Sequence, residues 1–155
     1  MLKFKSPLIV VSDMKRSISF YEDVIGDRIA MNFGENVTFE GGYSLQEQNL
    51  WLNFIQMDVH DIHYQSNDAE LYFDEDDFDG FVAHLNSFSD VKLLHDVMEM
   101  NWGQRVIRFY DPDFHIIEVG ENMDVVIRRM LANGMSVEEV SKKSQFPIEY
   151  VKRFA

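Results

Sequence analysis

The 155-residue chain carries 14 Lys/Arg against 27 Asp/Glu, a formal charge of −13, and 46% of its residues are apolar. That length allows one compact domain with a small appendage, and the acidic surface argues against general binding to nucleic acid or anionic lipid. There is no Cys, which excludes disulfides, thiolate catalysis and cysteine-zinc sites.

Thirteen Phe and six Tyr point to β-rich packing and an aromatic-lined pocket. Residues 4–11 read as a strand. Its apolar part, residues 8–11, is too short for a signal-peptide core or a membrane span, so a cytoplasmic location is expected. Asp13 is suited to cap a helix, and Met14, Ile18, Tyr21 and Ile25 recur on one helical face. Gly26 supplies the left-handed stop. Short strands are expected at 28–33, 37–40 and 43–46, with turns at Gly34-Glu35-Asn36 and Gly41-Gly42. Residues 50–57 suit a short helix or a strand equally, and 58–68 form a polar connector.

The same order then returns. Residues 69–74 read as a strand, and Phe78, Phe81, Val82 and Leu85 mark a helix. Strands follow at 91–97, 105–110 and 115–119, the last two joined by Asp111-Pro112-Asp113. Laying Leu8–Met14 over Tyr72–Phe78 superposes strand, acidic cap and helix start, a repeat of pattern rather than of letters. After Gly120 comes a tail of three short helices. The first carries Val126, Ile127, Met130 and Leu131; a capping box at Ser136–Glu139 opens the second; Pro147 opens the third. The domain is therefore expected over residues 1–121, with modules at 1–46 and 69–121 and a connector at 47–68, followed by a helical appendage at 122–155.

The run Pro7–Met14, with Ser17, Phe20-Tyr21 and Ile25-Gly26, combined with Trp102–Arg105, Phe109–Asp113 and Ile116–Glu118, resembles the vicinal-oxygen-chelate superfamily. That group includes glyoxalase I, fosfomycin-resistance transferases, extradiol dioxygenases and bleomycin-binding proteins. The resemblance covers residues 4–121. It implies an α+β fold of two βαβββ modules forming an eight-stranded incomplete barrel, here with a C-terminal helical appendage. It also implies a homodimer and a small-molecule ligand; the acidic charge, not the resemblance, is what argues against a membrane or nucleic-acid partner.

In similar enzymes a divalent metal lies on the sheet, held from the first strand of each module and the last strand of the second. Carried over, these positions are Ser6, Glu70 and Glu118, with Gln46 matching Glu118 in the first module. His, or His and Gln, would be usual where Ser6 and Glu70 stand. Glu70 and Glu118 are thus the expected metal ligands for Mg²⁺, Mn²⁺, Ni²⁺ or Zn²⁺, if any metal binds; without one, they would bind polar groups of a ligand, or each other through water. Phe114 departs from the usual Asp-Pro-Asp-Gly turn, so it requires either a different turn or a contact for its ring.

His95 is a candidate acid or base near neutral pH and Glu118 a second catalytic candidate. Trp102, Gln104 and Arg105, with Ser6 and Gln46, are candidate substrate-binding residues, Arg105 for an anionic group. Trp102 and Arg105 are equally readable as a core residue and an ion-pair partner. His60-Asp61-Ile62-His63 reads as a solvated loop. Glu75, Asp77, Asp79 and Gly80 begin like a calcium loop, but Asn86 stands at its twelfth position, and acids at a helix start account for them. No nucleophile elbow or phosphate loop is present.

The tail resembles a small helix-turn-helix. From Asp124 on it has six Lys/Arg and four Asp/Glu, leaving −15 on the rest, so docking on its own domain or across a dimer is favoured over DNA reading. Three functions stay open: a metal-assisted lyase, isomerase or transferase acting on an oxygenated substrate; a metal-free binder that sequesters an antibiotic or metabolite; and a ligand-sensing regulator that uses the C-terminal helices.

Overall fold

The computed structural model describes residues 1–155, which divide into two units, 1–68 with 111–115 and 69–110 with 116–155. The first holds β1 (Leu8–Val11), α1 (Met14–Asp23), β2 (Ile29–Asn32), β3 (Asn36–Phe39), β4 (Ser44–Glu47) and α2 (Gln48–Ile55). Its sheet runs β1-β4-β3-β2, with β1 parallel to β4 and the other pairs antiparallel.

Asp13 caps α1 by accepting from the Arg16 amide at 3.0 Å. The helix buries Ser17, Phe20 and Tyr21, the face set by the helical period. Phe39 and Tyr43 stack at 5.1 Å, and Tyr21 lies within 5.6 Å of both rings. β1 begins only at Leu8, later than expected, and Phe4 is left exposed. Pro7 has no amide to donate, and its carbonyl receives the first β4 amide, that of Ser44. The undecided segment is helical: Glu47 accepts from the Asn49 and Leu50 amides, and Gln56 ends α2 at φ +55°. This short-range cap settles what an apolar run alone leaves open.

The turn at 111–115 belongs to this unit. Buried Asp111 accepts from the Asp113 amide (2.9 Å), the His115 amide (2.8 Å) and the Tyr21 hydroxyl (3.0 Å). Buried Asp113 receives the Ser12 amide, the Ser12 hydroxyl and Arg16. The expected turn therefore forms, with Phe114 held at φ +66°, a region that normally favours Gly.

The second unit holds β5 (Glu70–Glu75), α3 (Phe78–Leu85), β6 (Leu93–Glu99), β7 (Arg105–Tyr110) and β8 (Ile116–Glu121). Its sheet, β5-β8-β7-β6, repeats the order of the first. Both units thus have the βαβββ plan, their eight strands fall into two four-stranded sheets, and neither sheet closes into a barrel. Phe78 and Leu85 of α3 are buried, as are Ile107, Phe109, Ile117 and Val119 of the sheet.

The tail forms α4 (Met123–Ala132), α5 (Val137–Ser144) and α6 (Ile148–Val151), the last running into a 3₁₀ turn at Lys152–Phe154. The capping box between Ser136 and Glu139 is complete. Val126, Ile127, Met130, Val140 and Val151 form the core of this tail. No helix is long and apolar enough to cross a membrane.

Candidate functional site

Side chains alternate across a strand, so the second sheet has two chemically distinct faces. One carries Ile107, Phe109, Ile117 and Val119, with α3's Phe81 ring 6.2 Å from that of Phe109. The other carries a polar row. Tyr72 pairs in register with Glu118, Glu118 with Arg108, and Arg108 with His95. Glu70, two residues before Tyr72, lies on the same face.

Arg108 is the centre of this row. Its Nε donates to Glu70 Oε2 at 3.1 Å, and Nη2 forms an ion pair with Glu118 Oε2. Nη1 faces His95 Nε2 at 3.5 Å. The side chain of Glu118 is 8% exposed and that of Arg108 27%, so the pair is held in a medium where charge attraction outweighs that in bulk water. His95 Nδ1 lies 2.7 Å from the Asp96 carbonyl. A carbonyl only accepts and a guanidinium only donates, so the proton is on Nδ1 and the Nε2 lone pair faces Arg108. Both ring nitrogens of His95 thus face a polar neighbour.

The two acids expected to hold a metal do lie on one face, bridged by a guanidinium. No three His, Cys, Asp or Glu side chains are grouped so that they could hold a metal ion. A divalent ion between Glu70 and Glu118 would have to share their lone pairs with a resident positive charge. The residues present do not fit the metal that the resemblance implies.

Gln104, 5% exposed, lies at the end of the same face. Its Nε2 donates to the Tyr72 hydroxyl and to the Glu121 carbonyl, each at 2.9 Å, and its Oε1 accepts from Trp102 Nε1 at 2.9 Å. Arg105 is on the opposite face, over the Phe78 ring at 5.1 Å, and it pairs with Asp79 (2.8 Å) and Glu121 (3.2 Å). Glu121, 2% exposed, also receives Arg129 at 2.7 Å. Burial alone would push its carboxyl up; hydrogen bonds from Arg105 and then Arg129 outweigh this and hold it below the ordinary carboxylate range. Those same bonds to Glu121 and Asp79 raise Arg105.

Ser6 and Gln46 belong to the first unit. Ser6 is half-buried just before β1. Gln46 is buried, donates to the Glu35 carbonyl at 2.8 Å and accepts from Asn36 Nδ2 at 3.0 Å. Of the candidate residues, the second unit groups Glu70, His95 and Glu118 through Arg108, and joins Trp102 directly to Gln104, which in turn reaches Tyr72. Sequence reasoning missed Arg108, Tyr72 and Arg129. Arg108 and Glu118 each lie five residues from Asp113, the centre of the register that β7 and β8 adopt, so the hairpin opposes them.

The family model of a glyoxalase-like domain matches residues 4–124. The metallothiol transferase FosB of Lysinibacillus sphaericus (strain C3-41) is 29% identical over 114 residues, 72% of this chain and 76% of that protein. A protein of unknown function from Agrobacterium tumefaciens str. C58 superposes with a TM-score of 0.70 at 36% identity, over 79% of this chain and 95% of its own. A lactoylglutathione lyase from Agrobacterium tumefaciens has a TM-score of 0.57 at 20% identity, over 78% of this chain and 94% of its own, a likeness of fold alone.

Proposed function

The chain belongs to the glyoxalase-like domain family, and from that premise we propose that it binds a small organic molecule against the polar face of β5-β8-β7-β6 without a resident metal. The observation that carries this reading is the Arg108 guanidinium between Glu70 and Glu118. It neutralises part of the charge that a divalent ion would otherwise offset. Glu118, Arg108 and Tyr72 then offer acceptors and donors at fixed positions, with His95 set against the guanidinium. Tyr72 and Met98, both about half exposed, add apolar area to the strands that bear them, the combination small-ligand sites use. Two carboxylates and one guanidinium leave this row net negative. It therefore suits a neutral or cationic oxygenated ligand better than an anion. A homodimer and a cytoplasmic location are part of the same proposal.

A metal-assisted transferase or lyase is the second reading, favoured by the 29% identity to a protein named a metallothiol transferase. Elemental analysis separates the two. Protein purified without chelator and then offered Mg²⁺, Mn²⁺, Ni²⁺ or Zn²⁺ is expected to hold no more metal than Glu118→Gln does. About one ion per chain in the wild type, lost in that variant, would establish the second reading instead.

A further inference from the structure

We infer that the C-terminal helices position the ligand face, with α4 fixing Trp102 and Tyr72 through the loop before β7. The family match ends at residue 124, so nearly all of this helical tail lies outside it. Its contacts with the second sheet are specific. Arg129 of α4 donates to the Gly103 carbonyl at 3.0 Å and to Glu121 Oε2 at 2.7 Å. Gly103 sits at φ +87°, and a Cβ there would come within 2.0 Å of Met130 Cε. Lys143 of α5 reaches Glu99 at 3.5 Å. The loop leading into β7 is thus bonded by α4, and α5 reaches the end of β6 where that loop begins.

Gln104 passes this restraint on. Its amide is committed on both sides. The nitrogen must donate to the Glu121 carbonyl, and the oxygen must accept from the Trp102 indole N–H, so its orientation is fixed by donor and acceptor identity. The same nitrogen donates to the Tyr72 hydroxyl. Tyr72 is thereby turned so that its own proton is offered to another acceptor, and half of the residue is exposed beside Glu118. Gly120 makes the crossing possible. A Cβ there would lie 2.6 Å from Gln104 Nε2 and 3.1 Å from Tyr72 Cε2. The result is a hydroxyl donor whose placement depends on a helix beyond the family domain, aimed at an oxygen of a small ligand.

The inference rests on the proposed ligand face, but its test uses neither ligand nor metal, so the two can fail separately. The chain has two tryptophans, and Trp102→Phe identifies the Trp102 indole N–H signal in a ¹H–¹⁵N spectrum; Trp51, in the first unit, is the internal control. In Arg129→Leu we expect the Trp102 indole proton to exchange at least about tenfold faster and to shift, with Trp51 unchanged and Arg129→Lys intermediate. Gly120→Ala is expected to shift the same signal while the Val126 and Ile127 methyl signals stay in place. If Arg129→Leu does not fold, Arg129→Gln carries the test with the same expected direction. A folded Arg129→Leu or Arg129→Gln whose Trp102 signal keeps its wild-type shift and exchange rate would overturn the inference.

Discussion

Arg108 and Glu118 oppose each other in register across β7 and β8, and the guanidinium forms an ion pair with a carboxylate whose side chain is 8% exposed. Removing one member of a largely buried pair strands the other. Glu118→Leu is therefore expected to cost about 3 kcal/mol, at the low end for such pairs because Arg108 keeps Glu70. The double variant Arg108→Met/Glu118→Leu should recover most of that loss. Urea unfolding of the two singles and the double measures it; additive losses would mean that the pair is not coupled.

Glu121 gives an acid-side expectation. Its folded carboxyl titrates below the ordinary range because Arg105 and Arg129 outweigh the effect of burial. A depressed folded value adds stability above the unfolded value of about 4.3, and that stability is lost as pH falls through the folded value. Glu121→Gln should therefore be less stable than wild type at pH 7, with the difference shrinking toward pH 3. A difference that stays constant with pH would assign the loss to packing instead.

At alkaline pH the tyrosines of the first unit act in the opposite direction. Burial, then nearby Asp111, raises Tyr21; burial, then Asp27, raises Tyr43; burial, then Asp113 and Asp111, raises Tyr64. A raised folded value adds stability below the unfolded value of about 10 and loses it as pH climbs toward the folded values. In an ultraviolet titration these three phenols should stay silent until the chain unfolds above about pH 10. Smooth ionisation of all six tyrosines in folded protein would contradict this.

Phe114 holds φ +66° with its ring partly exposed. A non-Gly residue in that region carries roughly 1–2 kcal/mol of strain, while Gly adds about 0.5–1 kcal/mol of chain entropy to fix. Phe114→Gly should leave stability unchanged or raise it by about 1 kcal/mol. A loss of more than about 2 kcal/mol, measured by thermal unfolding, would show that the ring's contacts dominate.

Much of the fold was legible because it is written in local rules. The caps at Asp13, Asp77 and Ser136 fixed helix starts, and the Asp-Pro-Asp turn fixed the last hairpin. The repeat from Leu8 to Tyr72 told of duplication. Residues 50–57 were not legible by periodicity, because the helix start is set by the Glu47 carboxylate outside that window. At the candidate site, the resemblance implied that Glu70 and Glu118 share one face. What joins them could not be read, since a long side chain chooses among partners only in three dimensions. Arg105 shows the same limit: it read equally as an anion-binding residue and as an ion-pair partner, and in the structure it pairs with Glu121 and Asp79. The tail read as a small helix-turn-helix favouring docking over DNA; in the structure its third helix, α6, has four residues and runs into a 3₁₀ turn.

Manganese titration followed by calorimetry and thermal unfolding, on wild type and Arg108→Gln side by side, tests most directly whether the guanidinium stands in for a metal. The wild type is expected to show no saturable binding and no shift in Tm, while Arg108→Gln, with its two carboxylates relieved of their internal cation, gains both. Saturable one-to-one binding by the wild type, with Tm rising and both effects lost in Glu118→Gln, would contradict it.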